Sequence, residues 1–403
     1  MKVLLFSQKL IYSGANIVAV DLATKIRDYG HEVIVYGPRG PMVEVLAHRN
    51  LPYHPMTCAQ ELNVRWPSMR AAHELRSLVA DEGVDLVHTY EWPACLEALL
   101  GPYRRDGVPL VASVMSMRVE RFMPRTVPLV VGTRVLRDDL LRSRYSQVAL
   151  IPPSVDVDRD DPALDLGDFR EDCGISSDAF MVAIVSRLSS MKMESMLQTM
   201  DAVANLAAGN DIRLVIVGGG TLEEDVIDRA KTLNAAAGRE VVTLTGTLGD
   251  PRPVYAAADV VIGMGSSALR GLAFAKPVII VGTNGYAELF TPETSGEFLV
   301  QGFWGLGNGD GLERLTTQLQ GLLDDPARRE LLGTFGRSFV RERFSLTRHA
   351  QALETVYKEA FQSPPTAEAR RSEVSGTLMR LVADRGIGFV RRRGRRLPPK
   401  AHR

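Results

Sequence analysis

Short runs of aliphatic and β-branched residues alternate with amphipathic helical periods along most of this 403-residue chain. Strand and helix in turn predict parallel βαβ units. The alternation occurs in two series, so we expect two doubly wound α/β domains, at 1–151 and 178–345. The segment between them, 152–177, is rich in Asp and Pro and has the composition of a linker. A helix at 346–361 and a basic tail at 362–403 complete the predicted organisation.

The β-rich runs are short and evenly spaced. The first series has them at 3–6, 32–36, 84–88, 109–114, 128–132 and 147–151, and the second at 180–185, 212–217, 241–244, 259–263 and 277–281. Open α/β sheets bind ligands at the carboxyl ends of their strands. Side chains just after these runs are therefore the candidates for function.

Composition limits the class of protein. A content of 45% hydrophobic and 24% charged residues is ordinary for a soluble protein, and a net charge of zero gives no general attraction to nucleic acid. The three cysteines show no metal-binding spacing, which favours a reducing compartment. The N-terminus has no apolar signal region, and no apolar run is long enough to span a bilayer. A cytoplasmic protein is expected.

Two cations follow the first strand of the second series. Arg187 ends that strand and Lys192 lies five residues later. Two cations in one site neutralise a diphosphate, both when it is bound and when it leaves. The alternative is a solvated pair on a surface loop. Gly219, in the glycine triplet 218–220, ends the next strand.

Glycine and serine lead into a helix after the fourth strand of the second series, at Gly263-Met264-Gly265-Ser266-Ser267. Gly265 lets the backbone approach a ligand, Ser266 is a good N-cap, and Ser267 begins the helix. The unpaired N–H groups of a first helical turn attract anions. A second glycine loop, with Gly14 at its centre, follows the first strand of the chain.

Two further segments belong to this series, Tyr255-Ala-Ala-Ala-Asp259 before the glycine–serine turn and Lys276-Pro277 after it. Taken in chain order, the series resembles the family 4 glycosyltransferases of GT-B architecture. The resemblance implies two Rossmann-like domains facing across a cleft, with the helix 346–361 returning to the first domain. It implies transfer from a nucleotide-sugar donor with retention, without metal or cofactor. Arg187, Lys192 and Gly14 then contact the donor phosphates, and Glu288 matches the glutamate of a Gly-x-x-Glu motif in the donor site.

The pair of glutamates that characterises this family is absent. Counting back from Lys276-Pro277, the two positions are Ile262 and Arg270. A guanidinium donates hydrogen bonds and accepts none, so Arg270 cannot accept them from ribose hydroxyls. At this position Arg270 is expected to bind a phosphate or a sugar carboxylate of the donor.

A second motif lies on the acceptor side. His88, Tyr90 and Glu91 resemble the family's His-x-His-Asp/Glu segment, with tyrosine in place of the second histidine. These three are the predicted catalytic residues, although a phenol is a poor base near neutral pH. The alternative for His88 is a hydrogen-bonded histidine at a strand end.

The tail 362–403 carries eleven basic and three acidic residues. Its interrupted apolar stripe and the cluster Arg391–Arg396 fit either peripheral contact with an anionic membrane or a disordered, solvated tail. The leading hypothesis for the chain is a cytosolic glycosyltransferase. The alternatives are a non-catalytic GT-B protein that binds a nucleotide or glycan and supports a partner enzyme, and a nucleotide-sugar epimerase.

Overall fold

The structure is a computed structural model that describes residues 1–58, 66–116 and 118–393, with side chains as far as residue 385. Two compact units are present. The first unit contains Met1–Ile11, Ala23–Ile151 and the chain from Gln351 onward, and the second unit contains Tyr12–Leu22 and Pro152–Ala350. Each unit is built on a sheet of parallel-dominated α/β type, which confirms the fold class predicted from the alternating pattern.

The strands of the first unit are β1 Lys2–Ser7, β2 Glu32–Gly37, β3 Tyr53–Pro55, β4 Leu86–Tyr90, β5 Leu110–Val114, β6 Leu129–Val131 and β7 Val148–Leu150. Those of the second unit are β8 Phe180–Val185, β9 Ile212–Val217, β10 Val242–Gly246, β11 Val260–Gly263, β12 Val278–Val281 and β13 Ala287–Leu289.

The helices before the second sheet are α1 Gly14–Asp28, α2 Met42–His48, α3 Met69–Asp81, α4 Glu91–Ala98, a π turn at Leu99–Tyr103, α5 Arg104–Asp106, α6 Arg134–Arg142 and α7 Phe169–Asp172. The later helices are α8 Ser190–Leu206, α9 Glu223–Ala237, α10 Arg252–Ala257, α11 Ser266–Ala273, α12 Ser295–Gln301, α13 Gly311–Leu323, α14 Pro326–Arg343, α15 Leu346–Gln362 and α16 Ala367–Arg393.

The first sheet is parallel throughout, in the order β3-β2-β1-β4-β5-β6-β7. Its strands β1, β2 and β5 are buried along almost their whole length, as is typical of a doubly wound sheet with helices on both faces. The direction of strand order reverses between β1 and β4. The carboxyl ends of these two strands therefore flank the switch point at which such sheets bind ligands.

The second sheet has the order β10-β9-β8-β11-β12-β13, and only its edge strand β13 runs antiparallel to its neighbour. Alternate residues of β8 enter opposite cores: Val182 and Ile184 pack in one cluster, and Met181 and Ala183 in the other. Here the strand order reverses between β8 and β11. The short edge strands β3 and β13 were not among the predicted runs.

The segment 152–177 is part of the second unit and not a bare linker. Val155, Phe169 and Ile175 are buried in one of that unit's cores. The predicted break at Phe344-Ser345 also has a structural role, since Val155 pairs with Ser345 in an isolated parallel bridge. Acidic composition suggested a linker because the apolar contacts in this segment are widely spaced.

Part of the predicted basic tail is an integral helix of the first unit. On α16, Val374 and Leu381 are buried in the core of this unit, and Leu378 packs against the same cluster. A disordered tail is therefore wrong for residues 367–385. The side chains of Arg391–Arg393, and residues Arg395 and Arg396 entirely, lie outside the described part of the chain. Within the described residues, no helix has the length and apolar character needed to cross a membrane.

Glu373 fastens α16 to the loop before β6. Its carboxylate accepts hydrogen bonds from the backbone N–H groups of Arg125 (3.1 Å) and Thr126 (3.0 Å), and from the side chains of Thr377 and Arg380, both at 2.9 Å. Burial alone would raise the pKa of Glu373, but the hydrogen bonds around it lower that pKa below its ordinary value. The carboxylate is thus bound in its charged form.

We expect Glu373→Ala to lower the free energy of unfolding of the first unit by about 3 kcal/mol, because it leaves the buried hydroxyl of Thr377 and the partly buried donors beside it without an acceptor. Glu368→Ala, which removes an exposed carboxylate from the same helix, is the matched control. Urea unfolding at pH 7 measures both. Because the folded pKa is depressed, the advantage of the parent over Glu373→Gln should narrow as the pH falls through that value. If Glu373→Ala loses no more unfolding free energy than Glu368→Ala, the stabilising role assigned to Glu373 is wrong.

Candidate active site

The switch point of the second sheet brings together two loops that the sequence marked. β8 and β11 are neighbours, with Val182 opposite Val260 and Ala183 opposite Val261. Their carboxyl ends lead into Ser186-Arg187 and Gly263-Met264, and both loops line one small pocket. Lys192 lines the same pocket from the first turn of α8. Ser186, Lys192 and the turn Gly263-Met264 thus line one pocket of the second unit, whereas Arg187 is exposed and is not among the lining residues. Diphosphate binding at this place stays a prediction.

Lys192 is a cation that has no counter-ion among the residues that the structure describes. Burial lowers its pKa to about 8, with the nearby charge of Arg187 as a second cause. Among the described residues, neither side chain has an ion pair or a hydrogen bond to an acidic group. A half-buried ammonium beside a guanidinium is unfavourable unless an anion joins them.

Polar side chains on α8 complete this pocket, and the sequence reasoning missed them. Ser195 and Thr199 line it together with Lys192. The spacings of three and seven residues place all three on one face of the helix. The periodicity was therefore visible in the sequence, although these hydroxyls also bond the helix backbone, to the carbonyls of Lys192 and Ser195 respectively.

The glycine triplet is required by close backbone packing. Gly218 has φ of +140°, and a Cβ there would collide with the carbonyl oxygen of Ser186. Gly219 accepts a hydrogen bond of 3.0 Å from the N–H of Leu188 through its carbonyl. The triplet therefore supports the loop that carries Arg187. Donor contact by Gly219 itself stays a prediction.

The glycine–serine turn differs in detail from the predicted cap. Gly265, at φ of +58°, occupies the N-cap position of α11, and Ser266 is the first residue of the helix. The hydroxyl of Ser267 donates a 3.0 Å hydrogen bond to the carbonyl of Met264 and so stabilises the turn. Gly14, the first residue of α1, lies so close to Ser266 that a Cβ would clash with the serine hydroxyl. The amino ends of two helices therefore meet here.

Arg270 does not extend into the pocket. Its Nη2 lies 3.5 Å from Asp21 Oδ2, and its Nε lies 3.3 Å from Asp160 Oδ2. Asp21 and Asp160 are 3% and 1% exposed, so the three charges form a buried ion cluster. In this conformation the guanidinium is occupied by carboxylates and is not presented to a donor. Asp160 was missed because its neighbourhood was interpreted as linker composition.

Glu288 lies on the edge strand β13 and pairs with Arg314 of α13. Burial raises its pKa, while Arg314 opposes that shift. Its proposed role toward the donor stays a prediction. In the parts of the chain that the structure describes, no cluster of His, Cys, Asp and Glu side chains is able to hold a metal ion.

His88 is fully buried in β4 of the first unit. Its Nε2 lies 2.7 Å from Ser113 Oγ, and its Nδ1 lies 2.6 Å from the hydroxyl of Tyr357 on α15. Burial lowers the pKa of His88 to about 3, so the ring is neutral at physiological pH. With both nitrogens occupied, the ring connects the sheet to α15 and does not reach solvent. This is the hydrogen-bonded strand histidine that the sequence left as an alternative.

Tyr90 and Glu91 follow His88 to the end of β4. The Tyr90 ring centroid lies 4.6 Å from that of His88, and burial raises its pKa, so the phenol stays neutral. Glu91 adopts φ of +66°, a strained conformation for a residue with a side chain. Its carboxylate accepts hydrogen bonds from the N–H groups of Met115 (3.0 Å) and Ser116 (3.1 Å) after β5. The three predicted catalytic residues are thus brought together, and Glu91 is the least buried of them.

Comparison with known proteins identifies the family of the chain. Residues 12–159 match the family model described as Glycosyltransferase Family 4, and residues 179–325 match that described as Glycosyl transferases group 1. A D-inositol 3-phosphate glycosyltransferase of Kineococcus radiotolerans is 26% identical over 87% of this chain and 91% of its own length.

Solved structures share the fold. A glycosyltransferase from Rickettsia africae matches with a TM-score of 0.71 and 18% identity, over 90% of this chain and 99% of its own. The Anabaena protein HepE, crystallised with UDP, matches with a TM-score of 0.68 and 18% identity, over 89% of this chain and 100% of its own. Together with the two family models, these matches identify the chain as a family 4-like glycosyltransferase of GT-B architecture.

Proposed function

We propose that the enzyme transfers a sugar, with retention, from a nucleotide-sugar donor whose diphosphate binds at Arg187 and Lys192. The observation that carries this proposal is the half-buried Lys192, which has a lowered pKa and no acidic partner among the described residues. The HepE structure, which contains UDP, supports a nucleotide as the ligand class.

The two cations fit the demands of the reaction. Negative charge grows on the leaving diphosphate as the glycosidic bond to it breaks, and fixed cations stabilise that charge more in the transition state than in the ground state. The helix amino ends at Gly14 and Ser266 add N–H donors to the same charge. The leaving phosphate then accepts the proton of the acceptor hydroxyl, so neither Tyr90 nor His88 has to act as a base.

On the acceptor side we propose that His88 and Tyr90 position the end of β4, and that Glu91, which follows them, contacts the sugar or the acceptor. Its carboxylate joins the ends of β4 and β5, where ligands bind in parallel sheets. We further propose a cytoplasmic enzyme that needs no metal or other cofactor. Peripheral membrane contact through the basic end of the chain is a separate proposal, supported by the sequence from Arg391 onward.

Purified enzyme should transfer labelled sugar from at least one member of a UDP-, GDP- and TDP-sugar panel to an acceptor in an extract, with EDTA present. Anomeric analysis of the product by NMR tests retention. Binding without transfer would favour the non-catalytic alternative. Isomerisation of the donor without an acceptor would favour the epimerase.

Arg187→Ala and Lys192→Ala should each weaken binding of the parent's preferred nucleoside diphosphate by about 1.5–3 kcal/mol, because each removes a charge-assisted hydrogen bond to phosphate. Calorimetry measures the loss. Lys231→Ala removes an exposed lysine of α9 as the control. Binding of the nucleoside without phosphates should change little. Parental affinity for the diphosphate in both variants would refute the assignment.

Binding at pH 8 should be accompanied by uptake of up to about half a proton per site. The free Lys192 has a pKa of about 8 and is half protonated there. A bound diphosphate favours the charged form, so its pKa rises and a proton is taken up. Calorimetry in two buffers of different ionisation enthalpy measures the number of protons. Lys192→Arg, which stays charged, should bind with markedly smaller uptake. Equal uptake by parent and variant would exclude Lys192 as the titrating group.

A further inference from the structure

Arg270 occupies a position where its family carries a glutamate, and its surroundings give it a different task. The side chain lies between Asp21 of α1 and Asp160 of the segment before α7. A guanidinium stays protonated in proteins, so it compensates both carboxylates without titrating. Burial raises the pKa of Asp160, and Arg270 is the largest influence against that shift. The charge of Arg270 therefore stabilises the ionised form of the buried Asp160.

The same ion pair lies beside the glycine loop. Asp21 follows Gly14 by seven residues on α1, and Arg270 follows Ser266 by four on α11. Both spacings return to the same face of a helix. The Asp21–Arg270 pair and the Gly14–Ser266 contact are thus two points of one helix–helix contact. Gly14 contributes no side chain to the contact, and the ion pair adds a polar attachment between these faces.

Other charged groups around Arg270 do not replace this attachment. Asp250 pairs with Arg252, whose Nε lies 2.9 Å and 2.8 Å from the two carboxylate oxygens. Arg337 donates to Asp161 at 2.8 Å and also to the carbonyl of Asp160. These arginines hold the segment around Asp160 independently of Arg270. The ion pair between Arg270 and Asp21 connects this cluster to α1.

We propose that Arg270 is a positioning residue: it holds the segment Tyr12–Leu22 against α11 and thereby keeps Gly14 at the diphosphate site. The link to the diphosphate site rests on the proposed function, whereas the attachment of the segment does not. The position at which the family resemblance implies a glutamate for the donor hydroxyls then serves, in this chain, to attach the glycine loop through an ion pair.

The test compares two isosteric variants in the full-length chain. Asp21→Asn removes the charge that pairs with Arg270 but leaves Arg270 paired with Asp160, and Asp160→Asn leaves Arg270 paired with Asp21. Hydrogen exchange followed by mass spectrometry reports on the amides of 12–22, and thermal unfolding reports on global stability. We expect exchange in 12–22 to be at least about tenfold faster in Asp21→Asn and close to parental in Asp160→Asn, with similar melting temperatures.

Donor binding separates positioning from a merely structural role. In Asp21→Asn the KM for the donor, or the Kd of its nucleoside diphosphate, should rise about tenfold while kcat changes less than threefold. Parental exchange in 12–22 would overturn the attachment. Faster exchange with parental donor affinity would overturn the link to the diphosphate site. If the parent binds no nucleotide, the proposed function and that link both fail, and the exchange result still decides the attachment. Arg270→Lys, which keeps the charge but not the fork of donors, serves if Asp21→Asn is unstable.

Discussion

The parallel pairing of β8 with β11 is the constraint on which the candidate site depends. Because β9 and β10 lie on one side of this pair and β12 on the other, the loops after β8 and β11 have no crossover helix between them. The Arg187 loop and the Gly265 turn therefore meet beside Lys192. A shift of one residue in this pairing would reverse the faces of β8 and place its core residues on the wrong side.

Two buried cations of the second unit illustrate how charge compensation distinguishes structure from binding. Arg270 has two carboxylate partners, and its charge is satisfied within the protein. The charge of Arg187 lowers the pKa of Lys192 further and so adds to the cost of its burial. The first arrangement stabilises a contact between helices. The second is stable only at some expense of folding free energy, which is a common property of binding sites.

The sequence predicted well those features that depend on local pattern. Strands such as Phe180–Val185 and Ile212–Val217 are apolar on both faces, so their runs were unmistakable. Edge strands of three residues, Tyr53–Pro55 and Ala287–Leu289, are too short for any periodicity. The complete burial of His88 could not be predicted from local pattern either, because its hydrogen-bond partner Tyr357 lies 269 residues away in the sequence. The local pattern was misleading at Asp160: the acidic residues around it predicted an exposed linker, whereas Asp160 is buried and pairs with Arg270.

The place of α16 in the core of the first unit affects the order in which the two units are completed during synthesis. Residues 152–350 supply nearly all of the second unit, whereas the first needs residues from both ends of the sequence. Val374 and Leu381 complete its core, and they are synthesised after the whole of the second unit. Domains generally fold as units during synthesis, the earlier one first. Here that order is inverted: the unit that begins first is the one that is completed last, with an unfilled core exposed in the meantime.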